Sequence, residues 1–169
     1  MRLFIESLNA LNSGRMVGDW IAPLDYNEED FLKRVEEVTR GADEKIVTDY
    51  ENAPNCGEYP NLRHYWQLCH EMRLARHSVN NDDLMAYVHD QHINADVDTF
   101  FGALEMFEND QVMRYESVQD FVEHMAELDG IDQVSSKWQC HIDMESYRKE
   151  LEDSYFFVVV KNGVLVVRR

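Results

Sequence analysis

The sequence predicts an α+β protein made of three small units in series: α+β over residues 1–61, helical over 62–108, and α+β again over 109–169. Three observations carry this. Strand patterns occur at both ends of the chain, an uninterrupted helical stretch separates them, and 44% hydrophobic with 11% aromatic residues is enough apolar material to pack all of it. A length of 169 residues suits one compact domain or two or three very small ones.

In chain order, Arg2 to Leu8 and Met16 to Ile21 read as strands joined by a polar turn region, Asn9 to Gly14. Asn27 is placed to cap a helix whose apolar positions Phe31, Val35 and Val38 follow helical spacing, with acids at 28–30 favouring its N-terminus through the dipole. Lys45 to Tyr50 reads as a third strand, and Ala53 to Asn61, with two prolines and a glycine, as a loop. Leu62 to His77, Asp82 to Gln91 (Leu84, Tyr87 and Val88 on one side) and the Phe100, Leu104, Phe107 series read as helices. Val112 to Tyr115 is a short strand. Ser117 with Asp120 resembles a capping pair for a helix that turns Val118, Phe121, Val122, Met125 and Leu128 inward and stops at Gly130. Gln139 to Ile142 is expected as a strand and Met144 to Leu151 as a helix. Tyr155 to Val160 and Val164 to Val167 form a hairpin around Asn162-Gly163, a pair suited to a type I′ turn.

Thirty-three acids against sixteen bases give a net charge of −17. The excess is concentrated: residues 82–132 hold fourteen acids and one base, Arg114, and residues 1–61 hold thirteen acids and six bases. Such a field disfavours direct binding to nucleic acid or an anionic membrane and favours a basic partner. The acidic block also carries Tyr87, Phe100, Phe101, Phe107, Tyr115 and Phe121, so it is expected to be packed structure with a charged outer face rather than an acidic tail. Ordinary exposed helices mix charge signs. The near absence of bases here points to the charge itself as the function.

The longest apolar run, Phe156 to Val160, is far short of a membrane span, and Met1-Arg2-Leu3-Phe4 lacks a signal-peptide pattern, so a cytoplasmic location is expected. Cys56, Cys69 and Cys140 are odd in number and lack metal-binding spacing; reduced thiols are expected. Asn94, Asp96, Asp98 and Glu105 fall at positions 1, 3, 5 and 12 of a calcium loop. Thr99 occupies the position that needs glycine, however, and helix capping is the preferred reading. His89 and His92 do not complete a metal site, His64, Cys69 and His70 show no recognisable spacing, and Cys140-His141 is not a nucleophile–base pair. No Gly-rich phosphate loop or nucleophile elbow occurs. An enzyme is not expected, nor is a metal or cofactor.

Residues Asn9-Ala10-Leu11-Asn12-Ser13-Gly14-Arg15-Met16-Val17-Gly18-Asp19-Trp20, the Asp49-Tyr50-Glu51 triplet and Gly57-Glu58-Tyr59 resemble the N-terminal signature of the ArdA family of antirestriction proteins. Tyr115 to Phe121 and Ile142 to Leu151 resemble its C-terminal blocks, and the matches occur in order across nearly the whole chain. The resemblance implies a non-enzymatic mimic of double-stranded DNA, encoded on a mobile genetic element, that occupies the DNA-binding groove of type I restriction-modification enzymes as an elongated homodimer. A dimer would carry twice the chain's 33 carboxylates, matching the phosphates of about 33 base pairs.

The acids expected to form the mimic surface are Glu28, Glu29, Asp30, Glu36 and Glu37 near the N-terminus, and Asp82, Asp83, Asp90, Asp96, Asp98, Glu105, Glu108, Asp110, Asp120, Glu123 and Glu127 beyond it. The apolar, nearly uncharged C-terminal hairpin, through Tyr155, Phe157, Val159, Val164 and Val166, is the expected dimer interface. Two competing classes stay open: an acidic adaptor or chaperone for basic proteins, and a calcium-binding regulator resting on residues 94–105 alone.

Overall fold

A computed structural model describes residues 1–75, 79–92, 94–109 and 111–169. The fold is mixed α+β, with small sheets toward the two ends and helices between them, in two compact units, Met1–Glu105 and Met106–Arg169.

In the first unit, β1 (Arg2–Ser7) is the central strand of an antiparallel sheet, flanked by β2 (Gly18–Ile21) and β3 (Lys45–Glu51). Glu6 faces Gly18 in the register, and a Cβ at Gly18 would come within 2.4 Å of the Glu6 Cβ, so the strands close only over glycine. The expected turn between β1 and β2 is largely a helical turn, α1 (Leu8–Asn12), because Ser7 Oγ accepts the Ala10 N–H and caps it. Reversal is left to Ser13 and Gly14, and β2 begins at Gly18 rather than Met16. Helix α2 (Glu28–Thr39) is capped by Asn27, whose side chain accepts the Asp30 N–H at 2.9 Å. It packs on β1 and β2, and Leu3, Ile5, Ile21, Phe31 and Val35 are buried. Its last buried position is Thr39, not Val38, since the Thr39 hydroxyl satisfies itself by donating to the Val35 carbonyl at 2.8 Å.

Three helices complete this unit. Asn61 caps α3 (Leu62–Leu74), which buries Tyr65, Leu68, Cys69 and Met72; the expected C-terminal end at His77 lies outside the described residues. The helix is tied to the sheet portion by the Tyr65 hydroxyl donating to the Pro54 carbonyl (2.9 Å) and Trp66 Nε1 donating to the Tyr26 carbonyl (3.0 Å). Asn80 caps α4 (Asn81–Gln91), which buries Leu84, Tyr87 and Val88. Helix α5 (Val97–Glu108), which belongs to this unit as far as Glu105, buries Val97, Phe100, Ala103 and Leu104.

The second unit is a sheet of order β4-β6-β5, all antiparallel: β4 (Val112–Tyr115), β6 (Gly163–Arg168) and β5 (Tyr155–Val160). Ser117 caps α6 (Val118–Leu128), and Phe121 and Val122 from that helix join Leu151, Val164 and Val166 in the core. Phe121 makes edge contacts with Tyr115, Tyr155 and Phe157 at ring separations of 5.3, 5.0 and 5.7 Å. The buried stripe of α6 closes at Ala126; Leu128, expected inside, is 68% exposed in the last turn. Gly130 follows in the left-handed conformation at φ 73°, which stops the helix.

Residues 139–142 are not a strand. The Ser135 carbonyl accepts the Trp138 and Gln139 N–H groups, forming the short helix α7 (Ser136–Gln139), and the His141 and Ile142 N–H groups turn back to the Trp138 and Gln139 carbonyls. Asp143 caps α8 (Met144–Ser154). The β5–β6 loop is Lys161-Asn162, with Val160 paired to Gly163. Neither loop residue has positive φ, so the turn is not type I′. The demand falls on Gly163 (φ 144°), where a Cβ would lie 2.3 Å from the Tyr115 carbonyl oxygen.

Candidate acidic binding surface

Helical period and caps determine where the carboxylates point. Burial of Leu84, Tyr87 and Val88 leaves Asp82 and Asp90 of α4 exposed. Burial of Val97, Phe100, Ala103 and Leu104 leaves Asp98, Glu105 and Glu108 exposed on α5, with Asp98 and Glu105 seven residues apart and so nearly in line. On α6 the core claims Phe121, Val122 and Ala126, so Asp120, Glu123 and Glu127 form one exposed stripe. Their spacings of three and four residues correspond to about 4.5 and 6 Å along the helix axis.

Among the described residues, none of these eight acids pairs with a lysine or arginine. Asp120 accepts from the Ser117 hydroxyl at 2.7 Å and Glu123 from the Gln119 amide at 2.8 Å, bonds that orient the carboxylates without neutralising them. Asp96 is also exposed, and it caps α5: its carboxylate accepts the Thr99 N–H (2.8 Å) and hydroxyl (2.6 Å), and those bonds lower its pKa. The calcium-loop pattern at 94–105 is thus a helix cap followed by helix. No group of three or more His, Cys, Asp or Glu side chains among the described residues is placed to hold a metal ion.

The N-terminal acids differ in kind. Glu28, which is half-buried, pairs with Arg63; Glu36 pairs with Lys45 at 3.0 Å, and Glu37 with Arg34 at 3.5 Å. Glu29 and Asp30 stay exposed and without an ion-pair partner among the described residues. Asp83 departs from its expected place: it is 6% exposed, because the third residue of a capped helix one step before Leu84 turns inward with the apolar face. Asp110 lies outside the described residues. Glu116 and Asp132 belong with the free acids although neither was singled out from sequence; both lie in the acidic block and are exposed.

The hairpin also separates. Val164 and Val166 are buried in the core of their own unit because β6 is the central strand, so they are not a free interface. Tyr155 and Phe157 are half-buried against Phe121. Val159, on edge strand β5, is 84% exposed.

A polar cleft of about 500 Å³ in the first unit is lined by Asn55, Glu58, His89, Asn94 and Asp96, with Cys56 at its wall. Burial pushes the Cys56 thiol up to about 12, and that of Cys69 likewise to about 12, so both stay protonated and are poor nucleophiles. The His70 imidazole stacks on Trp66 at 4.0 Å, and burial, followed by the Arg73 charge, lowers its pKa. His89 packs edge-on against Phe100 at 6.0 Å, and Cys140 and His141 are exposed in the turn after α7.

The class of protein these features define is a folded polyanion, an α+β scaffold whose helices turn unpaired carboxylates to solvent. The chain belongs to the ArdA family: the family model "Antirestriction protein (ArdA)" matches residues 3–166. No curated protein matches it. Family membership implies an antirestriction role directed at restriction enzymes. No helix among the described residues is long and apolar enough to cross a membrane.

Proposed function

We propose that the protein inhibits type I restriction-modification enzymes by occupying their DNA-binding groove as a mimic of duplex DNA, without catalysis and without binding nucleic acid itself. The observation that carries this reading is the set of exposed carboxylates on α4, α5 and α6 that pair with no lysine or arginine among the described residues, those of α6 forming one stripe on the face opposite its buried apolar one. One DNA strand carries a charge every 3.4 Å or so of helix axis. The α6 stripe carries three over about 10.5 Å, about two thirds of that density, held on a rigid support. Such charges meet the Lys and Arg contacts that an enzyme makes to phosphate, which carry no sequence information, so enzymes with different recognition sequences are open to the same inhibitor.

The three-part division into 1–61, 62–108 and 109–169 is kept within this proposal, with ion pairs holding Glu28, Glu36 and Glu37 in the first part and the exposed acids of α4, α5 and α6 without a lysine or arginine partner among the described residues. Homodimerisation is proposed through the outer edge of β5, where Val159 stands exposed on a strand with one unpaired side. An acidic adaptor for basic proteins needs the charge but no place in a DNA groove, and competition separates the two readings. In a gel-shift titration of a purified type I methyltransferase core with duplex, the protein is expected to displace DNA; a ternary complex of enzyme, DNA and protein would refute mimicry. Light scattering showing a monomer at micromolar concentration would refute the dimer.

A further inference from the structure

The second unit contains a groove of about 340 Å³ whose composition differs from the acidic helix faces around it. Its floor is apolar: Ala126 from α6, Ile131 from the turn after it, and Ile142 and Met144 at the start of α8. Its rim is acidic, formed by Glu123, Glu127 and Asp132, none of which pairs with a cation among the described residues. The volume lies at the small end of ligand pockets, roughly 300–1,000 Å³, and suits one or two side chains rather than a cofactor.

We propose that this groove docks a basic segment of the target enzyme, taking an arginine or lysine whose aliphatic stem lies on the Ile131–Ile142–Met144 floor while its charged head reaches the Glu123–Glu127–Asp132 rim. Long cationic side chains bury their methylenes on apolar surface and keep their heads in polar surroundings, and this groove offers both along one short path. A net-negative rim excludes an acidic or phosphorylated occupant, while an apolar floor gives nothing to a hydrated metal ion. Duplex DNA presents phosphates without an aliphatic floor beside them, so at this point the inhibitor makes a contact that its competitor does not. The identity of the partner rests on the mimic reading above; the chemistry of the groove does not.

The test uses the full chain with methyl-labelled Ile and Met, titrated at physiological salt with two synthetic peptides of equal charge, acetyl-Gly-Arg-Gly-amide and the same peptide with 2-amino-3-guanidinopropionic acid, whose stem is shorter by two methylenes, in place of arginine. The Ile131, Ile142 and Met144 signals are expected to shift saturably, with the arginine peptide about fivefold or more tighter than the short-stem peptide. The E123Q/E127Q/D132N variant is expected to lose the response to both. Met144→Ser, at an exposed position, is expected to reduce the preference for the arginine peptide over the short-stem peptide while the rest of the methyl spectrum stays folded. Equal affinity for the two peptides, or no saturable shift, overturns the proposal. So does a protein-concentration-dependent shift of the same methyls without peptide, which would mean that a second copy covers the groove. Displacement of duplex from the methyltransferase core is measured on the same preparation. Lost displacement with the peptide response intact sinks mimicry and supports the groove; intact displacement with no methyl response sinks the groove alone.

Discussion

Glu28, Glu36 and Glu37 are matched by Arg63, Lys45 and Arg34, whereas Asp120, Glu123 and Glu127 on α6 have no lysine or arginine partner among the described residues. Two sets of variants exploit this. In the first, D120N/E123Q/E127Q removes three free charges from one helix stripe. Each exposed carboxylate that meets a lysine or arginine in the groove contributes about 0.2–1 kcal/mol, so the triple variant is expected to bind the enzyme about 3-fold to 150-fold more weakly. The fold is spared because Phe121, Val122 and Ala126 on the other face are untouched. In the second set, whole pairs are deleted: E28Q with R63Q, and E36Q with K45Q. Each deletion leaves the net charge unchanged, and together they are expected to alter affinity by less than about twofold, with stability falling by the small amounts typical of exposed pairs. The assay is displacement of labelled duplex from the methyltransferase core at fixed salt, with circular dichroism to confirm helix content. If the pair deletions weaken binding as much as the α6 triple, or if the α6 triple binds like the parent, freedom from ion pairing is not what marks the binding carboxylates.

Three further outcomes are expected. Salt will weaken this protein's binding to the enzyme less steeply than it weakens DNA binding, since DNA releases condensed counterions at about 0.9 per phosphate neutralised and spaced carboxylates condense fewer; parallel slopes of log affinity against log salt would contradict this. Phe121→Ala removes the centre of the aromatic cluster, a loss of about 3–5 kcal/mol against about 3–10 kcal/mol for a unit of this size, so hydrogen-exchange protection will fall steeply in the second unit and persist in the first. Native alkylation at pH 8 will modify exposed Cys140 and spare Cys56 and Cys69. Because burial raises those two thiols from 9.0 to about 12, their stabilisation is complete below pH 9 and declines as pH rises toward 12, which alkaline unfolding curves of the double Cys→Ala variant against the parent will show.

Much of this molecule is local and therefore legible in the sequence. Asn27, Asn61, Asn80, Asp96, Ser117 and Asp143 each cap the helix that follows, through bonds spanning two or three residues. Total charge and its concentration in 82–132 are properties of composition, and ordered short blocks suffice for the family. What the tertiary structure decided is which groups are free. Glu28 meets Arg63 across 35 residues, an encounter that needs α2 packed against α3. Asp83 and Asp82 are neighbours in an acidic run, yet packing of Leu84 and Tyr87 takes one inward and leaves the other in water. Val164 and Val159 look equivalent in an apolar hairpin; Val164 is buried and Val159 exposed because β4 adds to β6, making it the central strand and leaving β5 at the edge. Bonds from the His141 and Ile142 N–H groups to the Trp138 and Gln139 carbonyls turn residues 139–142, bringing Ile142 beside Ile131 and the acids of α6 in a groove that no sequence spacing announces. Helix period and capping act over a few residues, whereas strand order, ion pairing and groove formation depend on contacts between residues far apart in the chain.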